Sequence, residues 1–227
     1  MENIGETLVG DYLKVILGCD FVEYNLYTPD VQGEIDVVGI NAKDKKIYIC
    51  EVATHLVTGL MYVNPKEKCP DNVGRFVKKF TKNIDYANKY FSEYEKRFML
   101  WSPIIKNQKT GAKFNQTDDI TEIKRQMFEK YQVEIEIFSN GEYMECLKKL
   151  RHYAGTETKE LKSPVLRLFQ IEEKLTKHLK KFERFLYHGS EKWTCSSGSS
   201  KTTMPPFEVA YLFVWKFSAR AFFISLS

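Results

Sequence analysis

With 227 residues the chain is long enough for one substantial hydrophobic core with appendages. A formal charge of +4 suits a polyanionic partner without requiring one, and 14% aromatic content favours a well-filled core. Five cysteines, Cys19, Cys50, Cys69, Cys146 and Cys195, show no paired spacing. That excludes a disulfide framework and points to free thiols in a reducing cytoplasm.

The chain opens on an acidic segment without a secretory signal pattern. Residues 5–18, GETLVGDYLKVILG, put Val9, Tyr12 and Leu13 at helical spacing and predict a helix carrying Glu6. Residues 33–55 read GEIDVVGINAKDKKIYICEVATH, in which 34–40 and 47–52 have strand length and β-branched content. The polar loop 41–46 joins them as a hairpin, and a turn centred on Lys43 and Asp44 sets Asp36 opposite Glu51. Side chains alternate along strands, so Glu34, Asp36, Val38 and Ile40 share a face with Glu51, Ala53 and His55. Directly opposed Cβ atoms lie roughly 4.5–5.5 Å apart, where like charges repel, so a cation belongs between the acids. Carboxylates are hard ligands suited to Mg²⁺ or Mn²⁺. The same pair also fits a hairpin whose acids face solvent or pair with lysines.

Asp36, fourteen residues and then Glu51 in an apolar strand, opened by GEID, resemble the core of the PD-(D/E)xK nuclease superfamily, in its Holliday-junction-resolvase-like and restriction-endonuclease-like branches. The resemblance covers residues 5–91 by motif and reaches about residue 140 by element order. It implies a metal-dependent endonuclease that hydrolyses DNA phosphodiester bonds. Asp36 and Glu51 would hold Mg²⁺ or Mn²⁺, the Val52 carbonyl would add a ligand, and Glu6 would support the metal or its water. Glu34 and His55 would stand behind these groups. The chain departs from the pattern at Ala53, where the family has the lysine that orients the attacking water. His55 shares that face but lies roughly 6–7 Å further along, and Thr54 points away. Some members of the superfamily supply this lysine from the next helix.

Residues 72–91, NVGRFVKKFTKNIDYANKYF, predict that helix. Val73, Phe76, Val77, Phe80, Ile84, Ala87 and Phe91 form its apolar stripe, and Arg75, Lys78, Lys79, Lys82 and Lys89 gather opposite and on the flanks. Such a basic face solvates a surface or, beside a metal-binding hairpin, meets phosphate through Arg75, Lys78, Lys79 and Lys82. Lys78 and Lys79 flank the stripe, so either could fill the space at Ala53.

A strand over 96–105 and a loop over 106–116 come next. A helix over 118–131 capped by Asp118 or Asp119 leads to a strand over 133–138. Asn140-Gly141 reads as a break before a helix over 142–153. The predicted fold is α/β, a restriction-endonuclease-like mixed central sheet flanked by helices over residues 1–153, with a C-terminal helical extension over 154–188. Ser163-Pro164 starts the long basic helix 165–187, whose broad apolar set should dock on the domain or on the partner in a homodimer, or clamp DNA. A linker is expected over 189–206. The apolar segment 207–227 is a terminal strand, an interfacial segment or a strayed reading frame. Glu208, Lys216 and Arg220 interrupt that segment, arguing against a membrane span.

The histidines His55, His152, His178 and His188 lack zinc-site spacing, and no Walker loop, Rossmann fingerprint or serine elbow occurs, so no nucleotide cofactor is expected. The rivals to a nuclease are an inactive nuclease-fold DNA-binding module and an interaction domain assembling through its C-terminal helix.

Overall fold

The computed structural model describes residues 3–27, 33–64, 66, 68–107 and 115–190, with side chains described as far as residue 182. The expected linker beyond Ser190 and the apolar segment 207–227 lie outside the described residues. The chain divides into two units, Met1–Lys180 and Lys181–Ser227, and the whole sheet belongs to the first.

The elements in chain order are α1 (Ile4–Val15), β1 (Phe21–Tyr27), β2 (Glu34–Asn41), β3 (Lys46–Val52), α2 (Asn72–Tyr90), β4 (Glu95–Ser102), α3 (Gln116–Tyr131), β5 (Ile135–Ser139), α4 (Asn140–Thr156) and α5 (Pro164–Ser190). The strands form one sheet in the order β1-β2-β3-β4-β5. Its first two pairings are antiparallel and its last two parallel, which gives the expected mixed α/β sheet. The β2–β3 register follows the predicted turn, with Val37 opposite Cys50 and Val38 opposite Ile49.

Both faces of the sheet are covered, which explains the near-continuous β-branched runs in its strands. On one face Val38, Ile49, Phe98 and Leu100 pack with Phe76, Phe80 and Ile84 of α2 and Ile123 of α3. On the other, Val37, Cys50, Met99 and Trp101 pack with Val9 and Leu13 of α1, Leu150 of α4 and Leu166 of α5. Trp101 is the centre of that layer. Its ring stacks on Phe138 at 4.1 Å between centroids and meets Tyr12 and Tyr143 edge-on.

Three local features differ from the sequence reading. Strand β1 was not expected: it is an edge strand whose residues are mostly exposed, so it lacks the near-continuous burial that marks its neighbour β2. Helix α3 begins at Gln116 with Asn115 as its cap, and Asp118 and Asp119 sit in the first turn, where carboxylates favour the helix dipole. Asn140 does not break the chain before α4 but starts it. The turn chemistry is real, since Asn140 has φ 44, yet one left-handed residue suffices to enter the helix.

Helix α5 begins as its Ser-Pro signal predicts. The Ser163 hydroxyl donates to the buried Asp11 carboxylate of α1 and accepts from Leu166 N–H at 3.4 Å, tying both helices together. Further along, Leu168, Ile171, Leu175 and Leu179 are exposed. Among the described residues no helix is long and apolar enough to cross a membrane.

Trp101→Ala should destabilise the fold by about 3–5 kcal/mol, as large buried aromatics do. Trp101→Phe should recover much of that loss because it keeps the stack on Phe138. Denaturant unfolding of the three chains checks this.

Candidate functional site

The site lies where β2 and β3 separate. Strand β1 pairs with β2 on either side of Asn25 and Asp36, but this pair is missing from the ladder, and Asn25 takes the left-handed conformation with φ 51. The interruption lets Ile35 join the core under α2 rather than the layer of Val37. Asp36 then replaces backbone with side chain: its Oδ2 accepts from Val52 N–H at 2.7 Å, beyond the last paired residues Val37 and Cys50. Glu51, the second acid, has no exposed surface.

Helix α2 completes the arrangement. Its apolar stripe seats it on the sheet, which turns Lys79 and Asn83, one turn apart, toward the acids. Lys79 Nζ donates to Asp36 Oδ1 and Oδ2 at 3.2 and 3.3 Å and also contacts Glu51 Oε2. Asn83 Nδ2 donates to Glu51 Oε1 at 2.7 Å. Both oxygens of a wholly buried carboxylate are therefore satisfied from one helix.

Burial, and then the nearby Asp36 charge, push the Glu51 carboxyl up to about 7, against the pull of Lys79 and Asn83. Burial acts to lower the Lys79 ammonium, but the charges and hydrogen bonds of Glu51 and Asp36 outweigh it and raise it. At neutral pH Lys79 is thus a firmly held cation, while Glu51 can exchange a proton.

Of the two lysines considered for the space at Ala53, the structure brings Lys79 to the acids and leaves Lys78 exposed. Ala53 is buried under α2. Glu6 lies in the first turn of α1 and accepts from Asn3 Nδ2 at 2.6 Å and from Asn25 Nδ2 at 3.2 Å. It thus approaches the ladder gap opposite Asp36. Glu34 is exposed and lines a cavity of about 270 Å³ with Gly33, Ile35, Lys79, Lys82 and Asn83. Strand β3 ends at Val52, so His55 does not continue its face; it is exposed in a turn, its carbonyl accepting from Gly59 N–H at 2.9 Å. Arg75 stacks over the Tyr62 ring at 4.8 Å.

Asn83 was missed, although its signal was present. It falls within the apolar stripe, three residues after Phe80 and four before Ala87, where a polar side chain needs a buried partner.

Among the described residues no group of three or more His, Cys, Asp or Glu is placed to hold a metal. The available donors are two carboxylates and a carbonyl. Val52 makes no ladder bond to β4 itself, since the bond at this level runs from Ala53 N–H to the Trp101 carbonyl. Its N–H points to Asp36, and in an extended strand its carbonyl lies on that same side. Few carboxylates and hard oxygens fit Mg²⁺, which fills its remaining positions with water and phosphate. Comparison of the sequence with protein-family models and with curated proteins returns no match.

The raised Glu51 value has a measurable sign. A carboxyl that holds its proton more tightly when folded adds stability below the unfolded value of 4.5, and that contribution is lost as pH rises through about 7. Stability of the metal-free protein should therefore fall across this window. Glu51→Gln should flatten the slope, and denaturant titrations at a series of pH values read it directly.

Proposed function

We propose that the chain is a metal-dependent endonuclease of restriction-endonuclease-like fold that hydrolyses DNA phosphodiester bonds. The observation that carries this reading is the meeting of Lys79 with Asp36 and Glu51. A positive charge arrives from α2 at the acid pair of a chain whose Glu51-Val52-Ala53 segment lacks its own lysine. The mixed sheet supports the fold assignment, and the basic residues of α2 support a polyanionic substrate.

Asp36, Glu51 and the Val52 carbonyl would hold Mg²⁺ or Mn²⁺. When bound, the cation acidifies water and neutralises charge building on the phosphate. Lys79 holds its proton, so its Nζ acts as a charge and donor toward the nucleophile and the phosphate oxygens, not as a base. Asn83 keeps Glu51 Oε1 engaged, so an incoming cation would take Oε2 from Lys79 and free its ammonium for the phosphate. Cation binding competes with the Glu51 proton, so affinity should rise with pH through about 7. Glu6 would act from the Asn25 side. Arg75, Lys78 and Lys82 would meet flanking phosphates.

A second reading, a nuclease fold kept for DNA binding alone, draws on the same lysine. An ammonium that already bridges both acids can hold the site together without metal.

Single-turnover cleavage of mixed DNA substrates in Mg²⁺ separates the two. The wild type should cut, Asp36→Ala should be inactive, and Lys79→Ala should lose roughly 100-fold or more in turnover with little change in binding. Ala53→Lys should partly restore the Lys79→Ala variant. Cleavage that survives Asp36→Ala would end the nuclease reading. A silent wild type that gains activity with Ala53→Lys would favour the binding module.

A further inference from the structure

The connection from Ala53 to Asn64, between β3 and α2, places apolar side chains in solvent immediately beyond the acid pair. Leu56 and Val57 at its tip are 65% and 79% exposed, and Met61 and Val63 are about half exposed. Isolated exposed apolar residues need no explanation, but four in eight positions beside a candidate site do.

The tip is exposed and yet firmly built. Gly59 N–H closes the turn on the His55 carbonyl at 2.9 Å. Gly59 has φ 61, and a Cβ there would stand 2.8 Å from the Ile104 carbonyl oxygen, so the position demands glycine. The buried Gln116 locks the turn from below. Its Nε2 donates to the Thr58 carbonyl at 2.8 Å, and its Oε1 accepts from Leu60 N–H at 3.2 Å and Lys106 N–H at 2.9 Å. Leu60 is buried and anchors the turn in the core.

Charge identifies the occupant. Residues 53–64 include no acid. Around them Asp71 N–H donates to the Tyr62 carbonyl and Asp119 accepts from Asn72, while Arg75 lies over Tyr62, Lys106 N–H donates to Gln116 and Lys78 is exposed one helical turn further along α2, so cations outnumber acids. An apolar tip in a basic frame complements a polyanion that carries apolar faces. Three residues of chain reach at most about 11 Å, so Leu56 stands within roughly three base steps of Ala53.

We propose that Leu56 and Val57 form a rigid wedge that enters the base stack of nucleic acid bound at the carboxylate pair. This inference rests on the nuclease reading above. Parting a base step costs a few kcal/mol and is cheapest where stacking is already interrupted. The substrate class is therefore DNA with a bulge or mismatch beside the cleaved phosphate, in preference to uninterrupted duplex.

The test uses the full chain carrying Asp36→Ala, so that DNA is bound without being cut, and two short duplexes with 2-aminopurine, one fully paired and one with an adjacent single-base bulge. Anisotropy reads binding, and 2-aminopurine fluorescence reads unstacking. The bulged duplex should bind about tenfold more tightly, equivalent to about 1.4 kcal/mol, with a rise in fluorescence. Adding Leu56→Ser and Val57→Ser, both at exposed positions, should remove the preference and the rise while binding to paired duplex changes less than about twofold. Equal binding of the two duplexes without a fluorescence change, or a preference that survives the double substitution, would overturn the wedge and leave the nuclease reading standing. Failure to bind either duplex would overturn both.

Discussion

Two carboxylates brought together in a hairpin are costly to bury as a charged pair unless a cation stands between them. In this chain Lys79 supplies that charge from a neighbouring helix. The arrangement constrains much of the domain. The Lys43–Asp44 turn fixes a register whose last pair is Val37 and Cys50, Asp36 just beyond it accepts from Val52 N–H beside Glu51, and the stripe of α2 must seat at one rotation for Lys79 and Asn83 to arrive. Removing one partner from such a buried cluster costs about 3–5 kcal/mol because the remaining charges lose their compensation. The same cluster is built from groups that a divalent cation and a phosphate could take over.

The hairpin was readable because its signals agree: strand length, β-branched runs and a polar turn of definite length all favour one register. Helix α2 was readable for a similar reason, since its apolar stripe is continuous. What escaped was decided by tertiary packing. Strand β1 is held mainly by pairing with β2 and buries no residue fully, so FVEYNLY, although strand-like in composition, carries no core face to mark it. The choice between Lys78 and Lys79 depends on about a hundred degrees of helix rotation, which the stripe alone brackets without resolving. His55 looked aligned with the acids only while β3 was taken to continue past Val52. Asn83 was visible as a polar residue in an apolar stripe, but its partner could be named only once α2 was laid over Glu51.

The electrostatics suit a site that is stable without its ligand and reactive to it. Lys79 is held protonated, whereas the Glu51 carboxyl is pushed up to about 7, so proton and ammonium compete for its oxygens, and on the proposed reading a divalent cation would compete with both. Stability and function pull in different directions at Glu51, since a buried acid near another acid is retained at an energetic cost. The apolar turn beyond Ala53 shows a comparable expense, with a buried glutamine and an obligatory glycine holding hydrophobic side chains in water.

Mn²⁺ binding followed by electron paramagnetic resonance tests the account at its centre, because it reads cation occupancy independently of any substrate. The wild type should take up one Mn²⁺ per chain, more tightly as pH rises through about 7, and Asp36→Asn should abolish that uptake while preserving the fold. A wild type that binds no Mn²⁺ at any pH, or an Asp36→Asn variant that binds as well as the wild type, would contradict it.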